Sequence, residues 1–299
     1  MSNANRPATG IIWMAVTGVL FVAVTALVKT LGTRLPAVEA SFLRYAIGTI
    51  LLLPIVPRLL RLRPSRRLAG LFLMRGAIHA VGVGLWFFAM ARIPLADVTA
   101  MNYLSPIVVT VGAALFLGEK LAIRRMMAIV VALLGAFIIL RPGFREIGPG
   151  HIAMLATATA FGASYLTAKH LTDESGPEVV VLLLSALVTL FLAPVAAANW
   201  VTPSLHELGL LLLVALCATA AHYAMSLAFA AAPVTVTQPV TFLQLVWAVL
   251  LGWLVFDEGV DPFVVLGGAV IIAAVSFITW RESVLKRRAY TPPSPATKT

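Results

Sequence analysis

The sequence predicts an all-α integral membrane protein of ten transmembrane helices, arranged as two inverted five-helix repeats. Three observations carry that prediction. Of the 299 residues, 61% are hydrophobic and 11% charged, with a mean hydropathy of +0.99, a balance foreign to a water-soluble domain of this size. Apolar stretches close to the roughly 20 residues that carry a helix through hydrocarbon recur along the whole chain. The chain also matches itself: a shift of 140 pairs Gly10 with Gly150, Met14 with Met154, Phe21 with Phe161 and Lys29 with Lys169, and a shift of 139 pairs Ala89 with Ala228, Leu104 with Leu243 and Glu119 with Glu258. Five spans per copy is an odd number, so the second copy enters the bilayer upside down.

The spans are expected near 10–32, 36–57, 68–91, 95–117 and 121–140, and again near 150–170, 176–198, 206–230, 234–256 and 260–281. This divides the chain into a tail at 1–9, a first repeat at 10–140, a connecting loop at 141–149, a second repeat at 150–281 and a disordered tail at 282–299. The first stretch is too long for the apolar region of a signal peptide and reads as a retained span. Helices 3 and 8 carry small residues, Gly76, Ala80, Gly82 and Gly84 in one and Ala218, Ala220, Ala221 and Ala224 in the other, which suits close approach of the two central helices. Helices 4 and 9 carry Pro106 and Pro239, each removing a backbone hydrogen bond and marking a candidate kink or gate. The final segment, basic and then rich in Pro, Ser and Thr, suits a disordered end.

Charge sets the orientation. With the N terminus inside, most of the 22 basic residues fall on the cytoplasmic side, among them Arg58, Arg61, Arg63, Arg66 and Arg67, then Lys120, Arg124 and Arg125, then Lys286, Arg287 and Arg288, as short loops require. The loop after helix 4, LGEKLAIRR, has become FDEGVDP after helix 9, losing its basic residues where the inverted copy places it outside. Both termini are therefore expected in the cytoplasm of a bacterial cell with the helices in its inner membrane. The formal charge of +10 reads as this orientation signal plus attraction to anionic lipid headgroups, and no basic stripe interleaved with aromatics suggests a nucleic acid.

The stretch from Phe87 to Gly143 combines a small-residue end of helix 3, Pro106 in helix 4, Leu117-Gly118-Glu119 at that helix's end and Gly135 in helix 5. The second half repeats it more loosely, with Glu258 matching Glu119 while Pro239 stands six residues short of the position aligned with Pro106. This pattern resembles the repeat of the drug/metabolite transporter superfamily, in its ten-helix metabolite-exporter (EamA-like) branch, over about residues 8 to 282. Within that branch the chain looks most similar to bacterial amino-acid exporters. The resemblance implies export of amino acids, often aromatic or bulky, across the inner membrane.

The residues themselves speak to the interior. Every carboxylate falls in a loop or within about a turn of a helix end, leaving no acid at the bilayer centre. Proton-coupled drug antiporters commonly place one there, because a buried acid is costly unless it works. Its absence points to a neutral, zwitterionic or partly anionic substrate. Near the midplane stand His79 and Trp86 of helix 3, Asn102, Tyr103 and Ser105 of helix 4, His222 and Tyr223 of helix 8, Thr241 and Gln244 of helix 9, and Thr17, Ser164 and Tyr165 of helices 1 and 6. Dipoles and ring faces of this kind bind a zwitterion with an apolar side chain. Arg44, two turns inside helix 2, is a candidate partner for a substrate carboxylate.

Blander readings stand beside these. A membrane histidine often only bonds neighbouring helices; Arg75 reads as snorkelling to the cytoplasmic surface; Trp13 and Trp253 read as interfacial anchors; Glu119 and Glu258 read as helix-end supports. Any proton coupling would run through His79 or His222. The chain shows no zinc-protease, nucleophile-elbow or phosphate-loop motif, and Cys217 is its only cysteine, so neither an enzyme, a metal site nor a cofactor is expected. The rival outside the transporters is a passive membrane scaffold. The alternative within them is an exporter of drugs, purines or other metabolites. A single chain suffices for the site, and the expected partners are a small molecule and the bilayer.

Overall fold

The computed structural model describes residues 7–57, 65–105, 107–108, 111–112, 123–141, 146–175, 177–231, 240 and 243–290. Among these the regular structure is helical, with ten continuous α-helices: α1 (Pro7–Leu31), α2 (Ala37–Leu51), α3 (Arg66–Met90), α4 (Leu95–Asn102), α5 (Ile123–Leu140), α6 (Pro149–Ser175), α7 (Pro177–Ala198), α8 (Leu205–Ala231), α9 (Leu243–Phe256) and α10 (Pro262–Tyr290). Four of them, α1, α3, α7 and α8, are long and apolar enough on their own to cross a bilayer.

The helix limits follow local chemistry. Prolines open α1, α6, α7 and α10, where the missing N–H costs nothing and the ring presets φ. Ser65 caps α3, its hydroxyl accepting the Leu68 N–H at 3.2 Å, and so satisfies one orphan donor of the first turn. At Pro54 the α-geometry of α2 gives way to a 3-10 turn at Leu53–Ile55.

Helix 4 is interrupted rather than continuous. α4 stops at Asn102, tight turns follow in which the Tyr103 N–H meets Ala100 O and the Leu104 N–H meets Met101 O, and the described residues 105, 107–108 and 111–112 are helical again. A proline at 106 offers no N–H to the Asn102 carbonyl and crowds it, which accounts for the break one turn upstream. Pro106 itself, Pro239, Glu119 and Thr241 lie outside the described residues. At the other end of the chain, the expected disordered tail is helical as far as Tyr290, because α10 continues through RESVLKRRAY, a run of good helix formers with no Gly or Pro.

The principal packed pairs are α1 with α8, α3 with α6, α5 with α10 and α2 with α7; α3 also meets α7, and α2 meets α8. One continuous core joins both halves, while Ile12, Val19, Ile50, Val81, Leu133, Leu134 and Phe137 stand exposed, an apolar surface of membrane character. The small residues of α3 serve these neighbours rather than α8. A Cβ added at Gly76 would lie 2.6 Å from Leu187 of α7, and one at Gly82 would lie 2.9 Å from Phe161 of α6. The Thr157 hydroxyl donates to the Gly82 carbonyl at 3.2 Å. Gly135 of α5 and Gly267 of α10 face each other so closely that a Cβ on either would come within 2.8 Å of the other's carbonyl oxygen.

Candidate functional site

Two polar regions stand out. The first lies in the middle of the bundle. Residues three and four apart share a helix face, and α2 buries Ser41, Tyr45 and Gly48, which places Arg44 on the inward stripe. α3 buries Phe72, Arg75, Gly76, His79, Ala80 and Val83. The Tyr45 hydroxyl lies 2.9 Å from His79 Nε2, and His79 Nδ1 lies 3.1 Å from the Ser164 hydroxyl of α6, so one imidazole ties three helices together. Its ring stacks on Phe161 with centroids 4.9 Å apart. The Arg44 guanidinium sits 3.9 Å from the centre of the Tyr45 ring.

The remaining expected residues divide. Thr17 donates to Trp13 O at 2.9 Å and approaches Ala221 O of α8. Gln244 of α9 packs against Gly18 of α1. His222 meets Phe21 edge-on, with centroids 5.2 Å apart. The Ser105 hydroxyl lies 3.5 Å from Asn102 Oδ1; Tyr103 has a backbone hydrogen bond with Leu245; Trp86 meets Phe87 edge-on and packs on the core. Tyr223 departs from expectation: it is 67% exposed, because one residue beyond His222 turns it about 100° round the helix and out of the bundle. Tyr165 belongs to α6, but its side chain lies outside the described residues. Arg75 does not snorkel. It is 6% exposed, on the inward stripe one turn before His79.

The second region was not foreseen. The loops after α1, α3, α5, α7 and α9 converge on one end of the bundle in a network that joins the two halves. Lys29 pairs with Glu258 and donates to Ile93 O at 3.0 Å. The other Glu258 oxygen accepts the Leu95 N–H at 3.0 Å, at the first turn of α4. Arg34 grips Glu207, with Nε donating to Oε1 at 2.6 Å, and that bond raises the arginine pKa further above its ordinary value. Buried Glu39 accepts the Val201 N–H at 2.9 Å; Arg141 pairs with Asp261; His151 Nε2 lies 3.1 Å from Asp97 Oδ2.

Local geometry prepares this paired end. Asp257 takes a left-handed φ of 53° and turns the chain so that the Glu258 N–H returns to Gly252 O at 3.0 Å. Gly252 leaves the room: a Cβ there would lie 2.4 Å from Glu258 Oε2. The sequence signal was present, since Lys29 and Glu258 both occupy positions that recur between the halves. What the repeat could not show was that they meet. A recess of about 260 Å³ opens beside the network, lined by Asp97, Arg141, Glu258 and Asp261 among others. Those acids are engaged in the pairs just described, so the recess belongs to the mouth rather than to the central cluster.

The EamA-like transporter family matches the chain twice, over residues 8–141 and 148–280. The chain belongs to that family. It is thus a multi-pass membrane transporter. EamA-like relatives along nearly its full length include a riboflavin transporter of Rhizobium johnstonii, 32% identical over 95% of both chains. A pseudopaline exporter of Pseudomonas aeruginosa is 30% identical over 89% of this chain and 94% of its own. An S-adenosylmethionine uptake transporter of Rickettsia bellii is 29% identical over 91% and 94%. A solved crystal structure superimposes with a TM-score of 0.62 over 95% of this chain and 99% of the other, at 17% identity, and speaks for the fold alone. These EamA-like relatives carry chemically different cargoes, none named as an amino acid, and their names include both export and uptake.

Proposed function

We propose that this protein is a secondary carrier or facilitator that exports a small polar metabolite across a bacterial inner membrane, by alternating access between two inverted five-helix repeats. The observation that carries the reading is the paired end, where ties between the halves close one mouth of a bundle that a transporter family matches once per half. Loops after all the odd-numbered helices meeting at one end implies up-down alternation, which turns α6 against α1. The packing supports the same symmetry: exchanging α1 with α6, α2 with α7 and α3 with α8 converts the α1–α8 pair into α6–α3 and the α2–α8 pair into α7–α3, all of them observed contacts. Such pseudo-symmetry is how carriers built of inverted repeats open one side while closing the other.

The paired end is the outer mouth in this reading, because α3 begins at the opposite end with Arg66 and Arg67, and both termini face the cytoplasm. The substrate then contacts Arg44, His79, Ser164, Thr17, His222 and Gln244, with Trp86, Asn102, Tyr103 and Tyr165 nearby, and the break at the end of α4 supplies the flexing point. Amino acids are the first substrate class to test. The relatives' cargoes favour larger metabolites as the second. Reconstitution into liposomes with labelled amino acids, purines, riboflavin and S-adenosylmethionine tests both: saturable flux of amino acids alone supports the first, flux confined to the larger solutes supports the second, and flux of none of them removes the carrier reading.

A further inference from the structure

Cations from two helices share the middle of the bundle. Arg44 of α2 and Arg75 of α3 both lie within electrostatic reach of His79 and of His222. The carboxylates of the paired end are engaged there, and Glu174 and Glu178 are exposed at the turn between α6 and α7. Described negative charge thus sits at the ends and positive charge in the centre.

There is also room. Gly48 is buried one turn beyond Arg44 on the same face, yet a Cβ built on it would meet nothing within 4 Å. Gathering like charges at membrane depth is costly, and a guanidinium is the side chain best shaped to take a carboxylate or phosphate by two parallel hydrogen bonds.

Resting on the carrier reading and deepening it, we propose that the transported molecule presents an oxyanion, a carboxylate or a phosphate, to Arg44 in the space beside Gly48, with Arg75 strengthening the positive field. Tyr45 is the platform. Its ring supports the guanidinium while its hydroxyl is held by His79, and His79 in turn is held by Ser164. The site therefore spans both halves, and an oxyanion bound there relieves the mutual repulsion of the cations.

The test is flux into proteoliposomes of matched pairs: phenylalanine against phenylalanine amide, and glucose 6-phosphate against glucose, with riboflavin and S-adenosylmethionine alongside. Wild-type protein is expected to move at least one acid about tenfold faster than its uncharged or cationic partner, the scale of one charge-assisted hydrogen bond. Arg44→Gln should lose about that factor for the acid alone, and Arg44→Lys should regain part of it. If Arg44→Gln does not yield monodisperse protein, Gly48→Leu decides, since it fills the space and should abolish acid flux. Amides and glucose moving as fast as the acids overturn the proposal and leave the carrier intact, as does acid preference surviving Arg44→Gln or Gly48→Leu. Flux of no solute at all overturns the carrier reading and this proposal with it.

Discussion

The paired end and the middle of the bundle handle charge in opposite ways. At the paired end charges of one half meet opposite charges of the other, as Lys29 meets Glu258 and Arg34 meets Glu207. In the middle, cations gather without a described acid among them, and neutral hydrogen bonds such as Tyr45–His79–Ser164 hold the helices. A single exposed ion pair contributes little, but several partly buried ties in one ring, two of them ending on backbone amides, hold two bodies in register. The difference teaches that the mouth is held by opposite charges brought from the two halves, whereas the centre is held by neutral hydrogen bonds beside like charges.

The contrast rests on helix contacts that are easily broken. Gly135→Leu should have the largest effect, because the new side chain meets the Gly267 carbonyl and Ile271 of α10; loss of monodisperse protein on size-exclusion chromatography is expected, and normal yield would show that the α5–α10 contact is not required. Gly252→Ala should expel the Glu258 carboxylate from its seat and cost about 1–3 kcal/mol, seen as a lowered melting temperature. In a Cys217→Ser background, a cysteine at position 48 should then react faster with a membrane-impermeant thiol reagent added from the paired side. Glu258→Gln keeps an acceptor for Leu95 and loses only the charge opposite Lys29, so a smaller loss of about 1 kcal/mol is expected, with Lys29→Met adding little further. Ser164→Ala should cost about 1 kcal/mol and leave position 48 as protected as before, which separates the middle from the mouth. Tyr223→Leu faces outward and should change neither stability nor flux.

Much of this architecture is written in the sequence through periodicity. Apolar length located the helices, though not the break at Tyr103 and Leu104 inside the fourth span. His79 and Ser164 were legible because polar residues are conspicuous in apolar spans. Their partner Tyr45 was not, since nothing in the sequence tells which face of helix 2 it occupies. Arg75 was misread for a similar reason: depth along a helix is visible in sequence, but the facing direction depends on which neighbour packs there, and α6 and α7 cover that face. Tyr223 failed in the converse sense. The paired end was hidden because Lys29 and Glu258 are 229 residues apart in the chain, and only the packing of the two halves against each other brings them together.

The central claim is that the two halves must separate at the paired end for a solute to pass. With Cys217 replaced by serine, cysteines at positions 29 and 258 joined by a short reversible crosslinker report on it directly. The account predicts that flux in proteoliposomes stops on crosslinking and returns on reduction. Undiminished flux through fully crosslinked protein would contradict it.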